Sequence, residues 1–220
     1  MRTRVKIGCM HSAGEVRAAV AAGADAVGLG GPSPAGAPAP DGAQLADAAA
    51  ACPPGVSAVL LTAQTDARAI LDDVRAAGVG AVQLPRHVDP SAHARLREAA
   101  PWLRRLQVID VDDPHAAELA RNYGRLADAL LLDSSHAHVA VADLGGAHRP
   151  QDWSVSRRIV HDCPAPVWLA CGLTPATVGE AIEQVNPFGV DVCAGVRTAS
   201  RLDARKISAF FHDVRTAKGG

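Results

Sequence analysis

The chain has 220 residues, of which 48% are hydrophobic and 20% are charged, and its formal net charge is −1. This balance argues against nucleic acid or an anionic membrane as a partner, and the length suffices for one sizeable core. No apolar run approaches the roughly 18 residues that a membrane-spanning helix needs, and no signal-peptide core follows the basic start. These features predict a cytoplasmic protein.

Short apolar runs alternate with longer, often Ala-rich stretches along the whole chain. The apolar runs predict strands at 5–9, 25–29, 57–62, 80–84, 106–111, 127–132, 166–170 and 189–193. The stretches that follow them predict helices at 13–22, 44–51, 66–77, 91–99, 114–123, 154–162, 175–185 and 203–217. Several strands are continuously apolar, which is typical of a parallel sheet with both faces buried.

Eight such strand–helix units predict an α/β fold, a (β/α)8 TIM barrel that forms a single domain over residues 1–220. The alternative is a doubly wound sheet, but neither a GxGxxG nor a GxxxxGK[ST] motif opens any helix. One stretch, GGPSPAGAPAPD at 30–41, is too rich in Pro and Gly for regular structure. Because it follows strand 2, it is either a substrate lid or a flexible connector.

The five cysteines lie at positions 9, 52, 163, 171 and 193. Their number is odd and no two of them show CxxC spacing. This pattern favours reduced thiols over a disulfide framework or a structural zinc site.

Functional residues of a (β/α)8 barrel lie at the carboxyl ends of its strands. Asp133 follows an apolar run, where a carboxylate is costly unless it is paired or functional. The alternative is that it caps the next segment or pairs with an arginine. Cys9 ends strand 1, where a thiolate would be a capable base or nucleophile. The alternative is a small apolar core residue.

Glycine-bearing strand ends predict an anion site. Gly172 and Leu173 follow strand 7, and Ala194, Gly195 and Val196 follow strand 8. The loops after these two strands often bind phosphate through backbone N–H groups, and glycine allows close approach of the oxygens. The alternative is that these glycines form ordinary turns.

From strand 1 to the last helix, the chain resembles the phosphoribosylanthranilate isomerase family of tryptophan biosynthesis. The resemblance rests on VKIGC at 5–9, AGADAVG at 22–28, VQL at 82–84, ADALLLDS at 127–134, GG at 145–146 with DW at 152–153, PVWLACGLTP at 166–175 and NPFGVDVCAGV at 186–196.

The resemblance implies a barrel without metal or organic cofactor that carries out an Amadori rearrangement. A phosphorylated ribosylamine opens its furanose ring and becomes a 1-amino-1-deoxyketose. An acid protonates the ring oxygen and a base removes the proton from C2 of the iminium. The family's base follows strand 1 and its acid follows strand 6, so the resemblance assigns these roles to Cys9 and Asp133.

The first departure from the family is the order Gly8-Cys9, where the family has Cys-Gly. Successive side chains of a strand point to opposite faces, so this exchange could aim Cys9 into the helix layer. A β-bulge could restore its aim. His11 is the alternative base.

Further departures concern substrate binding. The family's lid offers an arginine to the substrate carboxylate, but the stretch 30–41 contains none. Arg86, after strand 4, and Arg197, after strand 8, are the candidate replacements. The family's phosphate loop reads here Gly145-Gly146-Ala-His148, in which a threonine is lost and His148 or the adjacent Arg149 could offset that loss by charge.

The loop after strand 6 contains three histidines, at positions 136, 138 and 148. Solvated loop histidines are favoured over a metal site.

The sequence therefore predicts a cofactor-free isomerase that acts on a phosphorylated sugar joined to an amine, with phosphoribosylanthranilate as the default substrate. One alternative is a divergent paralogue that rearranges a different sugar-amine outside tryptophan synthesis. Another is a non-catalytic barrel that binds a phosphorylated ligand. A monomer and a homodimer are both compatible with the sequence.

Overall fold

The protein forms a closed barrel of eight parallel strands in sequential order, in a computed structural model that describes residues 2–31, 40–134 and 153–217. The barrel strands are β1 (Arg4–Met10), β2 (Ala26–Gly30), β3 (Ser57–Leu61), β4 (Ala81–Leu84), β5 (Arg104–Asp110), β6 (Ala129–Asp133), β7 (Val167–Leu169) and β8 (Gly189–Val192). Strand β1 pairs with both β2 and β8, which closes the barrel. The predicted TIM barrel is confirmed.

A helix follows each barrel strand within the described residues. These helices are α1 (Ala13–Ala22), α2 (Gly42–Ala50), α3 (Ala67–Ala77), α4 (Pro90–Ala99), α5 (Ala116–Tyr123), α6 (Ser154–Asp162), α7 (Pro175–Val185) and α8 (Ala204–Thr216). None of the described helices is long and apolar enough to cross a bilayer.

Local sequence explains where helices begin and end. The Ser12 hydroxyl accepts a hydrogen bond from the Glu15 N–H and caps α1, while Gly23 ends the helix in the left-handed conformation. Asp66 caps α3 in the same way, and Gly78 ends it. Both helices therefore start and stop at the residues that favour these positions.

A small hairpin between β8 and α8 was not predicted. Its strands, β9 (Arg197–Thr198) and β10 (Arg201–Leu202), are too short to leave a hydrophobic pattern. In its turn, Ala199 and Ser200 have φ angles of 46° and 63°. Alanine and serine are not residue types that predict this left-handed conformation.

Two apolar layers fill the molecule, and the alternation of strand residues assigns each side chain to one of them. In β6, Leu130 and Leu132 pack in the large core between strands and helices, whereas Leu131 packs inside the barrel. Asp133 lies two residues after Leu131 and therefore on the inner face. In β1, Ile7 belongs to the outer core. By the same alternation, a regular strand would turn Cys9 outward too.

Candidate active site

A cavity of about 1250 Å³ opens at the carboxyl ends of the barrel strands. We call it the mouth cavity. The residues that line it come mainly from the carboxyl-terminal parts of the barrel strands and from the segments that follow them, β2 and β5 included. This is the face on which TIM barrels place their functional groups.

Cys9 faces this cavity because strand β1 is irregular at its end. The register between β1 and β2 shifts between Ile7 and Met10, and Cys9 has a φ of 60°. The left-handed conformation breaks the strict alternation of side chains, so Cys9 lines the mouth cavity instead of the helix layer. The bulge that would restore its aim is present.

Cys9 forms a disulfide with Cys193, and the expectation of reduced thiols is wrong for these two residues. They are 184 positions apart in the sequence, but barrel closure pairs Ile7 of β1 with Val192 of β8. Cys9 near the end of β1 and Cys193 directly after β8 are therefore neighbours, with their Cα atoms 5.9 Å apart. While this bond exists, Cys9 has no thiolate with which to accept a proton.

The other three cysteines are free thiols. Cys171 is almost fully buried after β7, and burial raises the pKa of its thiol well above the usual value. Its Sγ lies 3.5 Å from the Leu132 carbonyl oxygen. Cys171 is therefore an inert structural thiol at neutral pH.

Asp133 extends from the end of β6 into the mouth cavity. One carboxylate oxygen accepts a 2.9 Å hydrogen bond from the Ser134 N–H, and the other lies 3.8 Å from Nη2 of Arg86. Its side chain is 19% exposed, which leaves it partly open to a bound molecule.

Arg86 lies between two carboxylates. Its Nε atom is 3.5 Å from Oδ2 of Asp110, in addition to the contact of its Nη2 with Asp133. Its side chain is 30% exposed. The guanidinium thus lies beside the predicted acid, although Arg86 is not among the residues that line the mouth cavity.

Arg197, the other candidate arginine, is engaged by the protein itself. Nη2 donates a 2.6 Å hydrogen bond to the Cys9 carbonyl oxygen, and Nη1 donates to Glu15 at 2.6 Å and to the Ser200 carbonyl oxygen at 2.9 Å. Although Arg197 lines the mouth cavity, these bonds tie the segment after β8 to the end of β1 and to α1. The structure favours a positioning role for it.

His11 turns away from the mouth cavity. Its backbone N–H donates to Glu15 at 2.9 Å, and its ring bonds the Gly30 backbone. The side chain lines a neighbouring groove with Pro40 and Gln44, and burial lowers the pKa of its imidazole. The structure therefore does not bring His11 together with Asp133.

The loops after β7 and β8 pack against each other at the predicted phosphate site. A Cβ at Gly195 would lie 2.0 Å from the Leu173 carbonyl oxygen, so only glycine fits there. Gly172 has a φ of 67°, which also favours glycine. Gly172, Leu173, Ala194 and Gly195 line the mouth cavity beside the first residues of α7, and they form a cradle of backbone groups.

Two groups of predicted site residues are not part of this cradle. Val196 is fully buried in the apolar core. Gly145, Gly146 and His148 lie outside the described residues, as do His136, His138 and Arg149. Within the described residues, no cluster of His, Cys, Asp or Glu could hold a metal ion.

A buried ion pair beneath the cavity was missed at the level of sequence. Lys6 Nζ donates to Asp191 Oδ2 at 2.6 Å and to Gln83 Oε1 at 2.9 Å, and Lys6 is 1% exposed. Burial raises the pKa of Asp191 although Lys6 opposes the shift. The sequence does contain a pattern that could have predicted this pair: Lys6 interrupts the apolar run of β1, and Asp191 interrupts that of β8. Both lie on the side of their strand that faces the barrel interior.

The comparisons with known proteins agree on one family. A family model described as N-(5'phosphoribosyl)anthranilate (PRA) isomerase matches residues 12–213. The chain is 34% identical over 217 residues to the N-(5'-phosphoribosyl)anthranilate isomerase of Methanocella arvoryzae, which covers 98% of this chain and 100% of that relative. It is 40% identical over 217 residues to the protein of the same name from Chromohalobacter salexigens, with 97% and 94% covered.

A solved structure shows the same fold. The crystal structure of phosphoribosyl anthranilate isomerase from Thermotoga maritima matches with a TM-score of 0.78 at 25% sequence identity. The match covers 97% of this chain and 98% of that chain.

Proposed function

The chain belongs to the N-(5'-phosphoribosyl)anthranilate isomerase family, and we propose that it catalyses the Amadori rearrangement of N-(5'-phosphoribosyl)anthranilate. The observation that carries the proposal is that Cys9 and Asp133 line one cavity at the carboxyl end of the barrel. These are the two residues that the resemblance assigns as base and acid.

Asp133 would act first as the general acid. Its carboxyl group would donate a proton to the furanose ring oxygen as the C1–O bond breaks, which opens the ring and leaves an iminium at C1. Its inward position after β6 and its partial exposure support this role.

Cys9 would act second as the general base, in its reduced form. Its thiolate would remove the proton from C2, which converts the iminium to an enolamine that tautomerises to the ketone. The bulge at the end of β1 supports this role because it places Cys9 in the cavity wall.

The remaining contacts would orient the substrate. The cradle of Gly172, Leu173, Ala194 and Gly195 would bind the phosphate through backbone N–H groups. Arg86 would bind the anthranilate carboxylate, since it is the partly exposed arginine beside Asp133. The cradle would thus hold the phosphate end of the substrate and Arg86 the carboxylate end, with C1 and C2 over the centre of the barrel.

The test is turnover of N-(5'-phosphoribosyl)anthranilate by protein reduced with dithiothreitol, followed by the loss of anthranilate fluorescence. Turnover that disappears in Asp133→Asn would support the proposal. Absence of turnover at high concentrations of reduced protein would contradict the proposal and would favour a paralogue whose substrate contains a different amine. The Gly8-Cys9 order and the absence of an arginine in residues 30–41 are the observations in favour of that second candidate.

We also propose that the protein works in the cytoplasm on a small phosphorylated sugar, as a monomer or a homodimer.

A further inference from the structure

We propose that Cys9 and Cys193 form a reversible thiol modification site that turns the active site off when it is oxidised. The inference rests on the proposed function, in which the Cys9 thiolate is the base. Both cysteines line the mouth cavity, and the structure joins them. A sulfur atom held in a disulfide cannot accept the C2 proton, so the oxidised form has no base at this position.

The two cysteines are placed to react without movement of the backbone. Their Cα separation of 5.9 Å lies within the range that disulfides span. Pairing of β1 with β8 fixes the relative position of the two strand ends at which the cysteines lie. Arg197 donates a hydrogen bond to the Cys9 carbonyl oxygen. Only a short 3₁₀ helix, Ala194–Val196, separates Arg197 from Cys193. The same contacts would keep the thiols adjacent after reduction.

The position of the bond favours reversibility. Cys193 is half-buried at the wall of an open cavity, so small oxidants and reductants can reach it. Accessible disulfides are commonly the labile ones, and cytosolic disulfides are usually transient and catalytic or redox-sensing.

The oxidant we assign is a hydroperoxide. The thiolate of one cysteine attacks a peroxide oxygen, which breaks the O–O bond, forms a sulfenic acid and releases hydroxide. The second thiolate attacks the sulfenic sulfur and displaces its oxygen as water after protonation, which forms the S–S bond. Two thiols lose two electrons, and one hydrogen peroxide becomes two waters. A dithiol reverses the reaction by exchange and is itself oxidised to a disulfide.

The experiment starts from protein reduced with dithiothreitol and then freed of it. Hydrogen peroxide is added, and turnover is measured beside peptide masses that identify the Cys9–Cys193 cross-link. We expect the cross-link to form as turnover falls by about 100-fold or more, which is the contribution of a general base. We expect dithiothreitol to open the cross-link and to restore turnover.

Two variants sharpen the test. Cys193 lies in the cavity wall, so its replacement can change turnover by itself. The turnover of Cys193→Ala after peroxide is therefore compared with the turnover of the same variant before peroxide, in its reduced form. Without the second thiol, Cys9 should proceed to sulfinic acid, so dithiothreitol should no longer restore activity. Cys52→Ser, which removes a free thiol outside the mouth cavity, should respond like the unaltered protein.

Three results would overturn the inference: full turnover in cross-linked protein, peroxide oxidation without the cross-link, or a cross-link that dithiothreitol does not open. Failure of the proposed function is separate, because it appears as absent turnover in the reduced protein. In that case the peptide masses alone decide whether Cys9 and Cys193 form a reversible pair.

Discussion

Arg197 donates a hydrogen bond to the carbonyl oxygen of Cys9 at 2.6 Å and thereby joins the segment after the last barrel strand to the end of the first strand. Glu15 completes the arrangement, since it accepts from Arg197 at 2.6 Å and from the His11 N–H at 2.9 Å. The left-handed backbone of Cys9 is therefore held through its carbonyl oxygen.

The first prediction concerns this clamp. Glu15→Ala should lower kcat by about 10- to 100-fold and leave KM nearly unchanged, because a small displacement of a reacting group is costly and Glu15 lines the neighbouring groove rather than the mouth cavity. Arg197→Ala should show a comparable loss of kcat. The control is Arg201→Ala, an exposed arginine on the same hairpin. An increase in KM alone for Arg197→Ala would instead assign it to substrate binding.

The second prediction concerns the acid. Asp133→Asn should reduce kcat by about 100- to 10,000-fold, the range for loss of a general acid, while the protein stays folded. Steady-state rates together with circular dichroism measure both effects. Asp72→Asn is the matched control, because that carboxylate is 64% exposed on α3. Near-normal turnover in Asp133→Asn would remove Asp133 from the mechanism.

The third prediction concerns recognition of the carboxylate. Arg86→Gln should raise KM by about 10-fold or more, because a hydrogen bond to a charged group contributes about 1.5–3 kcal/mol. For a substrate whose amine carries no carboxylate, the same substitution should change KM only slightly. Arg68→Gln, at an exposed position of α3, serves as the control. Equal losses for both substrates would show that Arg86 acts through Asp133 rather than on the carboxylate.

The fourth prediction concerns the buried pair of Lys6 and Asp191. Lys6→Met should destabilise the fold by about 3–5 kcal/mol at neutral pH, since it leaves a buried carboxylate without its cation. The exposed pair of Arg75 and Asp72 offers the control: Arg75→Met should cost less than about 1 kcal/mol. Urea denaturation measures both.

The stability of Lys6→Met should also depend on pH. Burial already raises the pKa of Asp191, and loss of the opposing Lys6 charge would raise it further. The folded variant then binds a proton more tightly than the unfolded chain does. Its stability should therefore increase as the pH falls from neutral towards the ordinary pKa of an aspartate, and decrease as the pH rises again. A flat pH profile would contradict a raised pKa of Asp191 in the folded variant.

The fifth prediction concerns the Cys9–Cys193 bond. It links residues 184 positions apart, so it restricts the unfolded chain strongly. Reduction should lower the free energy of unfolding by about 2–4 kcal/mol, measured by urea denaturation with and without dithiothreitol. Cys193→Ala should show no such dependence on the reductant. An equal response in Cys193→Ala would assign the effect of the reductant to other groups.

The barrel and the approximate place of its functional groups can be predicted from local sequence patterns alone. Eight alternating apolar and Ala-rich segments predicted the strands and helices, because burial on both faces of a parallel sheet leaves a continuous apolar run. Asp133 could be placed at the functional end of the barrel in the same way, since it directly follows the apolar run of strand 6.

How the residues at the strand ends contact one another depends on the closed barrel and not on local sequence. The direction in which the Cys9 side chain points depends on one left-handed backbone angle, which no local sequence pattern specifies. Its bond with Cys193, the clamp by Arg197 and the pairing of Lys6 with Asp191 all join the first strand to the last part of the chain. These contacts exist because the barrel closes on itself, and closure brings together residues that are far apart in the sequence.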